Sequence, residues 1–375
     1  MSNFVEFQFA DPNKKRDTLC LEVSRMALTQ DMMILLNQLD RPAFLAEDGK
    51  IIAVNERASA MLLTADTAVT DLIQNGQEEY AAFSGEGALY LVICVGGIDH
   101  SATVTYLENR QLFVINDKSN ESELQALSLA AGQLTIPLSE ISLILERLSQ
   151  IDPEEKAKIK KNLYRVQRIV GNMSDAAHLQ TAKQRKYVRE MGAFLGEILE
   201  KARSLLAAKN LEIRYRLPEA PIFAAISEDS ITRAVYNLIS NAAKFSPDNH
   251  VIHVQLLRQK DKLYLTVKDE GTGIDHRLLG NVFQRYTREP SLEDPKHGLG
   301  VGLTLVHAVA AAHGGTVLVE QNKPSGTKIT MTISLKQDPT ADLNSPILKP
   351  DIYGGQDQAL IELSDVLPYL LYMDN

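Results

Sequence analysis

A chain of 375 residues has room for two or three domains. Its 45% hydrophobic and 23% charged content is ordinary for a globular protein, and a net charge of −9 argues against nonspecific binding to nucleic acid or an anionic membrane. The longest apolar run, Ala88–Val95, falls far short of the ~20 residues that cross a bilayer, and the first residues carry no apolar signal segment. The expectation is a cytoplasmic chain without a transmembrane segment. Cys20 and Cys94 have no metal-ligand spacing and set no disulfide framework, so both are expected to be plain buried thiols.

Residues 1–20 read as an N-terminal extension. Between 21 and 118 the pattern is of short strands with one or two helices. Two apolar runs, 43–47 and 50–54, flank Asp48-Gly49, a strong hairpin signal. Three more strands are expected at Ala88–Val95, Ala102–Leu107 and Gln111–Asn116, separated by Gly96-Gly97 and by the polar stretch 108–110. This hairpin, helical stretch and three-strand meander, with the phrase Ala43–Asn55, resemble a PAS sensor domain. The resemblance implies either ligand binding or dimerisation.

Residues 119–184 predict a helical hairpin. Leu124, Leu127, Ala131, Leu134, Leu138, Ile141, Leu145 and Leu148 alternate steps of three and four, as do Ile159, Leu163, Val166, Val170, Met173 and Ala177. Asp152 is a fitting N-cap, with Pro153 at the first helical position. Two such stripes fit a dimeric four-helix bundle; alternatively both pack on neighbouring domains of the same chain. Residues 337–357 read as a Pro- and Gly-containing linker. The tail beyond, with Leu360, Ile361, Leu363, Val366, Leu367, Leu370 and Leu371, either docks on a partner or packs back on its own domain.

Residues 185–336 mix helices and strands and hold the candidate chemistry. In the helix Ile231–Phe245, an apolar face leaves Asn237, Asn241 and Lys244 on another stripe. Two amide oxygens and an ammonium suit a Mg²⁺-bound polyphosphate, although a solvated helix face reads the same way. The strand 263–267 delivers Asp269 into a turn with Gly271 and Gly273. A carboxylate there can accept a hydrogen bond from an exocyclic amine such as adenine's, and the glycines let backbone approach a flat ring. Further on, Gly298, Gly300 and Gly302 open an apolar helix, offering free amides to phosphate. The spacing is neither that of a Walker A loop nor that of the dinucleotide fingerprint.

Each of these signals alone is a common turn or helix face. Their order and spacing, together with Val282–Arg288, His313–Glu320 and a closing strand at Thr327–Ser334, resemble the nucleotide-binding boxes of sensor histidine kinases. The resemblance implies a multidomain α+β protein: a PAS-like domain, a helical hairpin and an α/β-sandwich ATP-binding domain with a mixed sheet under three helices. It implies ATP and Mg²⁺ as cofactors, with Asn237 and Asn241 at the metal, Lys244 on phosphate and Asp269 on adenine. Gly271, Gly273, Phe283, Arg288, Gly298, Gly300 and Gly302 complete the implied site. Related gyrase- and chaperone-type ATPases place a glutamate general base where this chain has Asn237, so the site resembles a phosphotransferase's.

One departure stands out. Where the family's first hairpin helix carries the phosphoacceptor histidine and an acidic base, this chain has Gly132 and Gln133, followed by Pro137-Leu138 in register. Glycine has no nucleophile, and a neutral amide is a negligible base. The other histidines, among them His178, His250, His253, His276, His297, His307 and His313, read as surface or packing residues, and Ser128 is a weak substitute acceptor. Three readings follow: an ATP-gated relay that does not phosphorylate its own hairpin, a kinase acting in trans on a partner, or a nucleotide-independent dimeric scaffold. A homodimer is expected, with a response regulator or partner kinase as further partner and no nucleic acid.

Overall fold

The computed structural model describes residues 33–34, 36–85, 87–107, 110–115, 121–148, 150–181, 185–274, 301–336 and 356–373. The N-terminal part opens with β1 (Ala43–Glu47) and β2 (Lys50–Val54), paired antiparallel across Asp48 and Gly49, whose positive φ values give the tight hairpin the sequence predicts. Three short helices follow: α1 (Glu56–Ala60), α2 (Val69–Leu72) and, after β3 (Ile73–Asn75), α3 (Gln77–Ala82). The meander β4 (Gly87–Val95), β5 (Ile98–Leu107) and β6 (Arg110–Ile115) completes it. Phe44, Phe113, Leu89, Leu91 and Ile93 fill the core between sheet and helices, with the Phe44 and Phe113 rings stacked at 4.5 Å. Cys94 corrects the expected buried thiol. Strand alternation turns it to the other side of β4, where it is only half-buried, because its neighbours Ile93 and Val95 take the core face.

Helices α4 (Glu121–Arg147) and α5 (Pro153–Thr181) follow and pack against each other. Asp152 caps α5, its Oδ2 accepting the amides of Glu154 and Glu155 at 3.1 Å. The apolar stripes divide. Ala131, Leu145, Leu163 and Val170 are buried within the chain, whereas Leu134, Ile141 and Ile144 on α4, Leu148 just after it, and Ile159 and Val166 on α5 remain exposed.

The C-terminal half contains β7 (Tyr187–Glu190), α6 (Met191–Leu206), β8 (Glu212–Arg216), β9 (Phe223–Ile226), α7 (Glu228–Phe245), β10 (Val251–Gln259), β11 (Lys262–Lys268), α8 (Val301–Ala312), β12 (Val317–Gln321) and β13 (Thr327–Ser334). Alternating residues of β10, β11 and β13 turn Val254, Leu265 and Met331 toward Leu199, Leu238 and Val309 on the covering helices α6, α7 and α8. The parallel pairing of β8 with β10 makes the sheet mixed. The segment 356–373, with α9 (Gln358–Glu362) and a final 3-10 turn (Tyr369–Tyr372), packs back into this core through Ala359, Ile361, Leu363, Leu367 and Tyr372. That settles the two readings of the tail in favour of its own chain. Most of the linker that precedes it lies outside the described residues.

The sequence gives no warning of how the two halves join. Edge strand β4 pairs antiparallel with edge strand β12, Tyr90 opposite Val317 and Gly87 opposite Glu320. The result is one eleven-stranded sheet in the order β2-β1-β6-β5-β4-β12-β13-β11-β10-β8, with β3 alongside β4. Tyr90 enters the C-terminal core and stacks on His307 of α8, centroids 4.0 Å apart, while Leu318 of β12 packs against the N-terminal core. Gly87 has φ +153°, and a Cβ there would collide with the Val319 carbonyl oxygen, so the backbones meet closely only without a side chain. Beside the seam, Lys262 binds the Glu79 carboxylate at 2.7 and 2.8 Å, both side chains largely buried.

Candidate nucleotide-binding site

The apolar face of α7 is anchored by Ile231, Ala234, Val235, Leu238, Ile239 and Ala242, all buried. That fixes the other stripe. Asn237 is 0% exposed, whereas Asn241 and Lys244, one and two turns further, are half-buried toward the helix end. Gly302, in the first turn of α8, lies against the same stripe. A Cβ there would stand 2.9 Å from Asn237 Oδ1 and 3.8 Å from Asn241 Nδ2. The amide pair and Gly302 are therefore adjacent.

Asp269 follows β11 and is 5% exposed. Its Oδ1 accepts the amides of Gly271 at 2.9 Å and Thr327 at 3.0 Å, and its carbonyl oxygen accepts from Asn322 Nδ2 at 2.8 Å. Gly326, at φ +106°, leaves no room for a Cβ beside the Asp269 carbonyl. Burial pushes the Asp269 carboxyl above its ordinary pKa, against the lowering effect of the Gly271 and Thr327 hydrogen bonds. A carboxylate fixed in this way is a preorganised acceptor. Gly273, at φ +75°, continues the turn. Phe283, Arg288, Gly298 and Gly300 lie outside the described residues.

Gly132 and Gln133 sit on an exposed face of α4, and a Cβ at 132 would meet nothing within 4 Å. His307 and His313 are buried packing residues, as expected. His313 contacts the Val309 carbonyl through Nδ1 at 2.7 Å and accepts the Ser227 amide at Nε2, 3.0 Å away. His178 and Ser128 have no described side chains, and His276 and His297 lie outside the described residues.

Sequence reasoning missed the hairpin's part in the site. Arg168 of α5, 6% exposed, donates from Nη2 to Asn237 Oδ1 at 3.1 Å, and Asn172 donates to the same oxygen at 3.3 Å. Asn237 in turn donates from Nδ2 to the Arg233 carbonyl at 2.9 Å. The available signal was the spacing Arg165, Arg168, Asn172, which puts these polar groups on one flank of the helix beside its apolar stripe. Mg²⁺ takes oxygen ligands, and in this conformation the one oxygen of the Asn237 side chain already receives two donors, one of them cationic. Asn237 as placed does not fit a Mg²⁺ ligand.

Residues 226–337 match the family described as histidine kinase-, DNA gyrase B- and HSP90-like ATPase. That stretch is a histidine kinase-like ATPase domain. The chain is 26% identical over 260 residues to the sensor histidine kinase WalK of Bacillus subtilis, an alignment covering 66% of this chain and 41% of that one. It is 29% identical over 195 residues to the sensor protein KdpD of Clostridium acetobutylicum, covering 50% and 21%. The solved mycobacterial sensor histidine kinase MprB aligns at 27% identity and a TM-score of 0.34, covering 39% of this chain and 95% of that one. The chain thus spans less than half the length of these two relatives, WalK and KdpD. No helix among its described residues is long and apolar enough to cross a membrane.

Proposed function

We propose that this is an ATP-binding, histidine kinase-like signalling protein of a two-component system that does not phosphorylate its own hairpin. One observation carries the reading. Asn241, Lys244, Gly302 and the Asp269 turn belong to a domain of the ATPase family, while Gly132 and Gln133 occupy the exposed helix face where acceptor and base are expected. ATP lies with its adenine on Asp269 and its phosphates toward Lys244 and the Gly298, Gly300 and Gly302 loop. Gly271 and Gly273 line the base, Phe283 and Arg288 belong to the lid, and Asn241 forms the metal side, which Asn237 joins only once Arg168 has left its oxygen. With an amide at position 237, that helix supplies no general base for water.

Residues 21–118 serve as a PAS-like input, 119–184 as the dimerisation hairpin and 185–336 as the ATP-binding domain. The exposed Leu134, Ile141, Ile144 and Leu148 suit a second copy of this chain, completing a four-helix bundle. Ile141→Asp with Ile144→Asp then yields monomers in sedimentation, and a persisting dimer rules out this face. A response regulator or partner kinase is the downstream partner.

A second reading, phosphoryl transfer in trans, is favoured by the same observation, since only acceptor and base are missing by residue type. The test is binding and labelling with γ-labelled Mg-ATP. Asn241→Ala is expected to weaken binding at least about tenfold, and the wild-type chain to acquire no acid-labile, alkali-stable phosphate. Equal binding by the variant removes the ATP site. Such a label on the chain itself means that an unrecognised histidine accepts phosphate.

A further inference from the structure

The end of the chain reaches the proposed nucleotide site. Segment 356–373 is clamped on several elements: Asp357 pairs with Lys201 of α6 at 2.7 Å, Gln356 donates to Ser142 of α4, and Tyr372 packs edge-on against Tyr164 of α5. Two of its carboxylates face inward. Glu362, 1% exposed, lies 3.7 Å from Arg168 Nε and 3.4 Å from Arg233 Nε. Asp365 takes Arg168 Nη1 at 2.8 Å and Arg165 Nε at 3.1 Å.

Arg168 is thus held at both ends of its guanidinium. The tail carboxylates fix one side, and the other caps the Asn237 oxygen. A divalent cation and a guanidinium cannot share that oxygen, because they repel and both need its lone pairs. Burial opposes ionisation of Asp365, but Arg168, Arg165 and Lys244 outweigh it and hold the carboxyl below its ordinary pKa. An anion from the tail therefore sits among the cations that a polyphosphate would engage.

We propose that residues 356–373 form an autoinhibitory strap: when seated, it keeps Arg168 on Asn237 and sets Asp365 against Arg165 and Arg168, so that strap seating and Mg-ATP binding exclude each other. This rests on the reading of 185–336 as an ATP site. It also accounts for the poor fit of Asn237 to a metal here. The strapped chain is the closed state, and nucleotide binding requires α5 and the strap to withdraw together.

The experiment is calorimetric titration of the full chain with Mg-ATP, using wild type, Asp365→Asn, Arg168→Ala and Asn241→Ala, with folding checked by circular dichroism. Asp365→Asn preserves the strap's shape and remains informative if Arg168→Ala unfolds. Releasing the strap is expected to tighten Mg-ATP binding at least about tenfold, since apparent affinity scales with the open fraction. In the wild type, Mg-ATP is expected to speed hydrogen exchange across 357–372. Unchanged or weaker binding by folded Asp365→Asn overturns the strap. If wild type then still binds and Asn241→Ala does not, the ATP-site reading survives alone. Absence of binding by every folded variant overturns both.

Discussion

Replacing Tyr90 with alanine tests whether the seam between the two halves is a separable joint. Tyr90 is 3% exposed and lies with its ring 4.0 Å from that of His307, inside the core of the other half. Truncating a buried aromatic to alanine costs about 3–5 kcal/mol, of which the ring stack supplies about 0.5–1.5. The remaining seam includes a short ladder opposite residues 317–320, Leu318 against the N-terminal core, and the Lys262–Glu79 and Lys260–Glu78 pairs. A loss of about 4 kcal/mol shifts the opening equilibrium of that joint roughly a thousandfold, at about 1.4 kcal/mol per decade. Hydrogen–deuterium exchange reads this directly. Amides of 87–90 and 317–320 are expected to exchange faster by that order in Tyr90→Ala, while those of β10 stay protected. Tyr90→Phe, which keeps the ring, is expected to stay within about 1 kcal/mol of wild type. If exchange at the seam is unchanged in the folded variant, Tyr90 does not hold the joint. If β10 accelerates equally, the halves open as a single unit and the idea of a separable joint is wrong.

Asp269→Asn is expected to weaken ATP binding by about 10- to 100-fold through loss of a charged acceptor for the adenine amine, measured by calorimetry. The same change is not expected to lower thermal stability at neutral pH. A carboxyl whose folded pKa is raised contributes stability that is fully present below its unfolded pKa and lost as pH rises through the folded one, so at pH 7 its charge is a net cost. A marked fall in melting temperature for Asp269→Asn contradicts that sign. Gly132→His combined with Gln133→Glu restores acceptor and base residue types on an exposed helix where a Cβ meets nothing within 4 Å. It is expected to be at least as stable as wild type, since glycine inside a helix costs about 1 kcal/mol relative to alanine. With γ-labelled Mg-ATP it is expected to gain acid-labile phosphate if the hairpin reaches the nucleotide, and an unlabelled, folded, ATP-binding variant indicates that it does not.

Local signals in the sequence were legible where the physics is local. Asp48-Gly49 demanded positive φ and marked its hairpin, Asp152 announced the start of α5, and the stripe Asn237, Asn241, Lys244 followed from helical spacing against a buried face. What escaped depended on partners far apart in the chain. An edge strand carries no mark of which other edge it will pair with, so β4 against β12 could not be read from either segment. Arg168 carries no local mark in the sequence, because its importance comes from Asn237 and Asp365, each remote in sequence. Cys94 was misjudged because an apolar run hides which alternate residues face the core.

The shared sheet has a consequence for synthesis. β4 leaves the ribosome well over two hundred residues before β12, so at about 5–20 residues per second one of its edges waits on the order of ten seconds or more for its mate. The short β3 shields part of that edge, at Ile93 and Val92, but not 87–90. During that interval the nascent chain presents an open template to other nascent copies, and the price of a sheet continuous across two halves is a window of vulnerability that a self-contained input module would not have.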